Sequence, residues 1–184
     1  NITGVPTDEA VRRMKKAITE ALSTAEPHAV TKLVSVKRPF EFKVRTFDES
    51  VEDEKVSKYT RKRMAAGADS IIEVFRNMRQ KLKPEQGKTR ETMLQAVLIG
   101  DVAIVGAPAE YFTIFGVDIK NRSPLKYTYV AELANDWIGY LPNLEAHELG
   151  GYQTWMGLHS YAEPGTGERM ADTLVAMLKE LAQP

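Results

Sequence analysis

Three consecutive segments between residues 102 and 133 constrain the fold more than anything else in the chain. Val102-Ala-Ile-Val105 is a short apolar run, a helical stretch follows from about 110 to 121, and after the breaker Ser123-Pro124 a second strand runs from Tyr127 to Leu133. Parallel strands cannot be joined by a tight turn. They need a crossover of a dozen or more residues, usually helical and almost always right-handed. The pattern therefore predicts an α/β fold: a mixed sheet containing a parallel βαβ unit, with strands near 102–107 and 127–133, flanked by helices. Both strands then end on one rim, bringing Glu110 and Asn135 to the edge where open α/β sheets bind ligands.

The rest of the chain supplies elements to pack around this unit. Met93 to Ile99 is apolar and is separated from Val102 only by Gly100-Asp101, which predicts an antiparallel hairpin. Val30 to Phe47 alternates in polarity but is interrupted at Arg38-Pro39, so it reads as two strands or one bent strand. Helical spacing marks Val11, Met14, Ile18 and Leu22 after an acidic start at Asp8-Glu9, and Ile71, Ile72, Phe75, Met78 and Leu82 before Pro84. A last helix from about 167 to 182 carries Met170, Leu174, Met177, Leu178 and Leu181 on one face. Residues 49–66 are highly charged and give a weaker helix signal. Pro142 to Gly151 reads as irregular.

Composition narrows the function classes. At 184 residues with 43% hydrophobic side chains, the chain is expected to form a single domain spanning 1–184. The 25 basic and 25 acidic residues cancel, leaving no long-range field to attract nucleic acid or anionic lipid. Basic runs such as Arg61-Lys62-Arg63 have acidic residues nearby and read as a solvated face. There is no cysteine, so disulfides and thiolate metal sites are excluded. No apolar run approaches the roughly 20 residues of a membrane span, so no transmembrane segment is expected. The three histidines, His28, His147 and His159, lack a paired ligand spacing and read as surface or loop residues. Gly165-Thr-Gly167 reads as a helix start rather than an anion site.

The residues that could carry chemistry lie where the two central strands stop. Glu110, just past Pro108, either caps a helix in its first turn or presents a carboxylate to a crevice or a cation. Tyr140 follows Gly139, and its ring belongs either to the core or to the crevice. Asn135 and Asp136 either start a turn or face a ligand, and Trp137 alone reads as packing.

The segment from Ile99 to Phe112, IGDVAIVGAPAEYF, together with Asn135-x-x-x-x-Tyr140, Glu145 and Tyr152, resembles the C-terminal part of the catalytic domain of the neutral/alkaline non-lysosomal ceramidase family. The likeness is strongest from about 96 to 153. In that family a strand ends in Pro-Gly-Glu before an aromatic residue, and a later block begins with Asn and reaches a Tyr. The resemblance implies a zinc-dependent hydrolase of the N-acyl amide bond of ceramide or a related N-acyl compound. Glu110 and Tyr140 would be metal ligands, with Asn135, Asp136 and Trp137 as candidate substrate-binding residues. It further implies zinc as cofactor, an N-acyl lipid-like substrate and a secreted or periplasmic location.

The family's two histidine ligands and its serine-bearing motif have no counterpart in these residues, so no catalytic residue is expected in this chain. The chain is expected to be the C-terminal portion of a larger ceramidase-like domain, with the N-terminal portion of the same polypeptide as its partner and a short bacterial-type member as its nearest analogue. Its beginning at Asn1 rather than Met agrees with a processed or truncated product. Leu141-Pro142-Asn143 replaces a threonine pair, and Ala162 to Gly165 replaces a Gly-Pro-His segment, which places the substrate in question. The alternative is a non-catalytic α/β module that binds a ligand or partner. A metal-independent amidase on the same fold is a third reading.

Overall fold

The computed structural model describes residues 4–64 and 66–183, and the strands among them are β1 (Leu33–Lys43), β2 (Thr89–Ile99), β3 (Val102–Gly106), β4 (Glu110–Tyr111), β5 (Tyr127–Ala131) and β6 (Tyr140–Leu141). β1, β2, β3 and β5 form a four-stranded sheet in that order, while β4 and β6 form a separate pair. The expected hairpin is present: β2 and β3 run antiparallel with Ile99 opposite Val102, and Gly100 adopts a left-handed φ of 62° in the turn. The expected crossover is present as well. β3 and β5 are parallel, Val102 opposite Tyr127 through Gly106 opposite Ala131, and the helix α4 (Thr113–Arg122) joins them.

The segment around Arg38-Pro39 is one continuous strand, β1, and not two. Pro39 sits opposite Met93 in an unbroken register. Proline cannot donate to a ladder, and it is tolerated here because β1 lies at the edge of the sheet.

One face of the sheet is buried. Phe40, Phe42, Leu94, Ala96, Leu98, Ala103 and Val105 alternate inward along their strands and join a single core cluster with α6 (Thr166–Leu181). The periodic residues of α6 do what their spacing predicts. Met170, Leu174, Met177 and Leu178 are fully buried, each contributing about 1.5–3 kcal/mol of transfer free energy. Gly167 lets α6 lie close to α4, because a Cβ there would stand 2.5 Å from the Phe115 ring.

The charged stretch forms a well-defined helix, α2 (Glu49–Arg63), started by Asp48, whose carboxylate accepts from the backbone N–H groups of Ser50 and Val51. It packs on α3 (Ala68–Leu82) through a small cluster of Val56, Ile72, Phe75 and Trp155. The fully buried Arg79 guanidinium is held by Glu49 and Asp53. Residues 142–151 are not irregular throughout, since α5 spans Leu144–Leu149.

The chain divides into two compact units, Asn1–Thr31 and Lys32–Pro184. All the strands belong to the second. The first holds α1 (Thr7–Ser23), with Asp8 and Glu9 in its first turn as expected. Val11, Met14, Ile18 and Leu22 lie along one stripe of α1, as their spacing predicts.

Candidate active site

Glu110 is not in the first turn of a helix. α4 begins only at Thr113, and Glu110 opens the two-residue strand β4. Helix capping therefore does not account for it. What holds it is a set of backbone hydrogen bonds to a segment some thirty residues later. Glu110 N–H donates to the Gly139 carbonyl at 3.0 Å and Ile138 N–H to the Pro108 carbonyl at 2.8 Å. Just before it, Ala107 N–H donates to Ala131 at 2.9 Å, and Ala134 N–H returns to Ala107 at 3.1 Å.

This clamp makes β4 and β6 parallel with Glu110 directly opposite Tyr140, and Tyr111 opposite Leu141. Side chains alternate along a strand, so register partners share a face. Tyr111 and Leu141 turn inward and are buried. Tyr111 stacks on Phe115 at 4.6 Å and its hydroxyl donates to the Gly167 carbonyl at 2.6 Å. Glu110 and Tyr140 are therefore the outward pair, half-buried and side by side on the wall of a cleft of about 500 Å³. Glu132, Asn143 and Glu145 line the same cleft with Phe112 and Ile114.

The Glu110 carboxylate facing the Tyr140 hydroxyl pushes the phenol up to about 12, with partial desolvation adding to the effect. A carboxylate stabilises the protonated phenol and repels the phenolate. Tyr140 in turn is fixed from behind: its N–H donates to the His159 carbonyl at 2.7 Å. Gly139 makes that approach possible. It has a φ of 84°, and a Cβ would fall 2.5 Å from the His159 carbonyl oxygen.

His159 is not a surface residue. It is 7% exposed, and its ring lies 6.2 Å from Tyr140 and 4.6 Å from Tyr152, with Tyr152 5.9 Å from Tyr140. Its Nε2 is 2.9 Å from the Tyr152 carbonyl, which can only accept, so Nε2 carries the proton and Nδ1 is left without a partner. Burial holds its pKa below the usual histidine range. Nothing in the sequence singled out His159 as a neighbour of Tyr140. The contact follows from Gly157 and Gly139, whose missing side chains leave the space it occupies.

The other rim candidates are placed differently. Asn135 has a left-handed φ of 72°, and its amide nitrogen lies close against Gly106, where an added Cβ would meet it at 3.4 Å. Asp136 uses one oxygen to accept from Thr92 Oγ1 at 2.8 Å and the other to accept from the Trp137 N–H at 2.8 Å. Trp137 is 47% exposed and so is not the packing residue expected of it. None of the three lines the Glu110–Tyr140 cleft. The other two histidines also differ from one another. His28 is exposed, whereas His147 is half-buried beside Arg45, with its ring nitrogen 3.4 Å from the guanidinium.

Among the described residues, no three His, Cys, Asp or Glu side chains converge on one point. Glu110 and Tyr140 nonetheless suit part of a metal ligand set, being two oxygen donors presented from adjacent strands to one cleft. A divalent cation between them would reverse the present effect on the phenol, favouring phenolate instead of opposing it.

Comparison with protein-family models gives no match, and comparison with curated protein sequences gives none either. Solved structures do match. "Crystal Structure Analysis of neutral ceramidase from Pseudomonas aeruginosa" aligns over 100% of this chain and 36% of that one, at 16% identity and a TM-score of 0.53. "Ceramidase complexed with C2" aligns over 50% of this chain and 15% of that one, at 21% identity and a TM-score of 0.44. The chain thus spans about a third of the length of the Pseudomonas aeruginosa ceramidase it matches. Its α/β architecture is a neutral-ceramidase-like fold.

Proposed function

We propose that the chain is the carboxylate- and phenol-bearing portion of a zinc-dependent hydrolase that cleaves an N-acyl amide bond, in ceramide or a related N-acyl compound. The observation that carries this reading is the direct register pairing of Glu110 with Tyr140 on the wall of an open cleft. Both would ligate zinc, and the remaining ligands would come from other parts of the polypeptide. Zinc, when bound, supplies Lewis acidity toward the amide carbonyl and lowers the pKa of water.

The chain's own residues have definite work in this scheme. The β4–β6 clamp fixes the two oxygen donors before any ligand arrives, so little reorganisation is needed on binding. The cleft lining combines polar groups, Glu132, Asn143 and Glu145, with the apolar Phe112 and Ile114. That mixture suits a substrate with an amide head and an acyl chain. The Tyr152 ring packs edge-on against the Tyr140 ring at 5.9 Å and helps hold it in place.

Metal content of the full-length polypeptide tests the reading. Glu110→Gln and Tyr140→Phe are each expected to lower bound zinc at least tenfold while circular dichroism is retained. Unchanged zinc in both variants would remove the proposal and leave a binding module whose Glu–Tyr pair is a plain hydrogen-bonding wall.

A further inference from the structure

A second cleft of about 450 Å³ lies between α2 and the segment from His147 to Trp155. On α2, Lys55, Lys58, Tyr59 and Lys62 are spaced at three, four and seven residues, which puts all of them on one helical face, and all of them line this cleft. Two acids of the helix are turned away from that face, while Glu52 lines the same cleft. Glu49 and Asp53 are drawn to α3, where they hold Arg79 and Arg76. The run Arg61–Arg63 is exposed to solvent as expected, with Arg61 paired to Asp69 at 2.9 Å, and Lys62 lines the cleft.

Among the described residues, neither Lys58 nor Lys62 has a carboxylate within ion-pair distance, although Lys55 pairs with Glu52 at 2.7 Å. Arg45 forms part of the same cleft. Its guanidinium donates to the backbone carbonyls of Thr154 at 3.0 Å and Ser160 at 3.1 Å; among the described residues it forms no ion pair, Glu52 acting on it only through space. Burial lowers its pKa. Four basic side chains line the cleft against two acids, Glu52 and Glu148, and both oxygens of Glu52 are already engaged, by Lys55 and by the Met156 N–H. His147 is held below its ordinary range by burial and by Arg45.

The apolar part of the wall is aromatic. Tyr59 meets Trp155 edge to face at 5.1 Å, and Tyr59 is 44% exposed. A partly buried cation without an anion is costly, and a row of like charges along a helix face is unfavourable, so the arrangement fits a cleft completed by an anionic ligand.

We propose that this cleft binds a small oxyanion carried on an apolar body, a carboxylate or a phosphate, with its charge between Arg45 and the lysines and its body against Tyr59 and Trp155. The site is separate from the Glu110–Tyr140 cleft and does not depend on zinc. α5 is common to both, since Glu145 lines the first cleft and His147 the second.

Tryptophan fluorescence tests the proposal. The chain has two tryptophans, so Trp137→Phe leaves Trp155 as the reporter. In that background, 4-phenylbutyrate and hexyl phosphate are titrated in parallel, with hexanol and inorganic phosphate as probes lacking the charge or the body. Saturable quenching by at least one amphiphilic anion, with affinity tenfold or more above hexanol and inorganic phosphate, is expected. Comparing the two anions separates carboxylate from phosphate. Lys58→Ala combined with Lys62→Ala, both on the exposed helix face, is expected to weaken binding about tenfold, and Arg45→Met more. Absence of saturable quenching, equal binding of hexanol, or affinity unchanged in the lysine double variant would each overturn the proposal.

Discussion

The four-stranded sheet and the two-stranded β4–β6 ladder both contain parallel pairing and share one core, yet they differ in how closely they fix their polar side chains. The large sheet is driven by burial: its inward residues and the stripe of α6 form one apolar core. The small ladder has two residues per strand; its inward residues, Tyr111 and Leu141, join that same core, while backbone hydrogen bonds and Gly139 lying against the His159 carbonyl set its outward pair. Burial gives stability without fixing any one polar atom closely. The backbone clamp adds little stability of its own but sets which two side chains stand together.

Substitutions can drive this contrast to its limits. Leu174→Ala, at a fully buried position of α6, is expected to cost about 2–5 kcal/mol in chemical denaturation while leaving the Tyr140 phenol titration unchanged below the transition. A shifted phenol in that variant would mean that the ladder is not mechanically independent of the core. Gly139→Ala forces a left-handed φ and a 2.5 Å approach, so a loss of about 1–3 kcal/mol is expected, accompanied by an altered Tyr140 resonance. If the stability falls but the resonance stays in place, the clamp is not what positions the phenol. Glu110→Gln is expected to leave the denaturation midpoint almost unmoved. It removes the negative charge that opposes phenolate formation, so Tyr140, held near 12 in the parent, ionises at lower pH. Carbon-13 labelling of the tyrosine ring reads that change, and a phenol that moves upward or not at all would show that the two oxygens do not interact.

The same contrast explains what could be read from the residues alone. The hairpin at Gly100-Asp101, the crossover between β3 and β5 and the stripe of α6 all follow from local periodicity and turn chemistry. Glu110 was placed in a helix because Pro108 followed by an aromatic run resembles a helix start. Its true partner, Gly139, is remote in sequence and acts through a backbone carbonyl, which carries no residue signature. Tyr140 is legible as a candidate, but its register with Glu110 and the buried His159 beside it are not, for the same reason. Trp137 was expected to pack because large aromatic rings usually do, and here the loop after β5 leaves it in solvent. In α2 the charge is visible, acids from Glu49 to Glu54 and bases from Lys55 to Arg63, but which acids turn toward α3 is not. It depends on Arg76 and Arg79 of another helix drawing the acids to one side.

Pro39 has an effect beyond its own strand. β1 is an outermost strand; near its end the Glu41 and Lys43 carbonyls already accept from Arg169 and the Glu163 N–H, and the remaining open margin is of the kind that invites strand addition. An imino residue midway along it, flanked by Lys37, Arg38 and Lys43, interrupts the row of donors and adds repulsive charge. This margin is poorly suited to seeding fibrils even when the protein is concentrated.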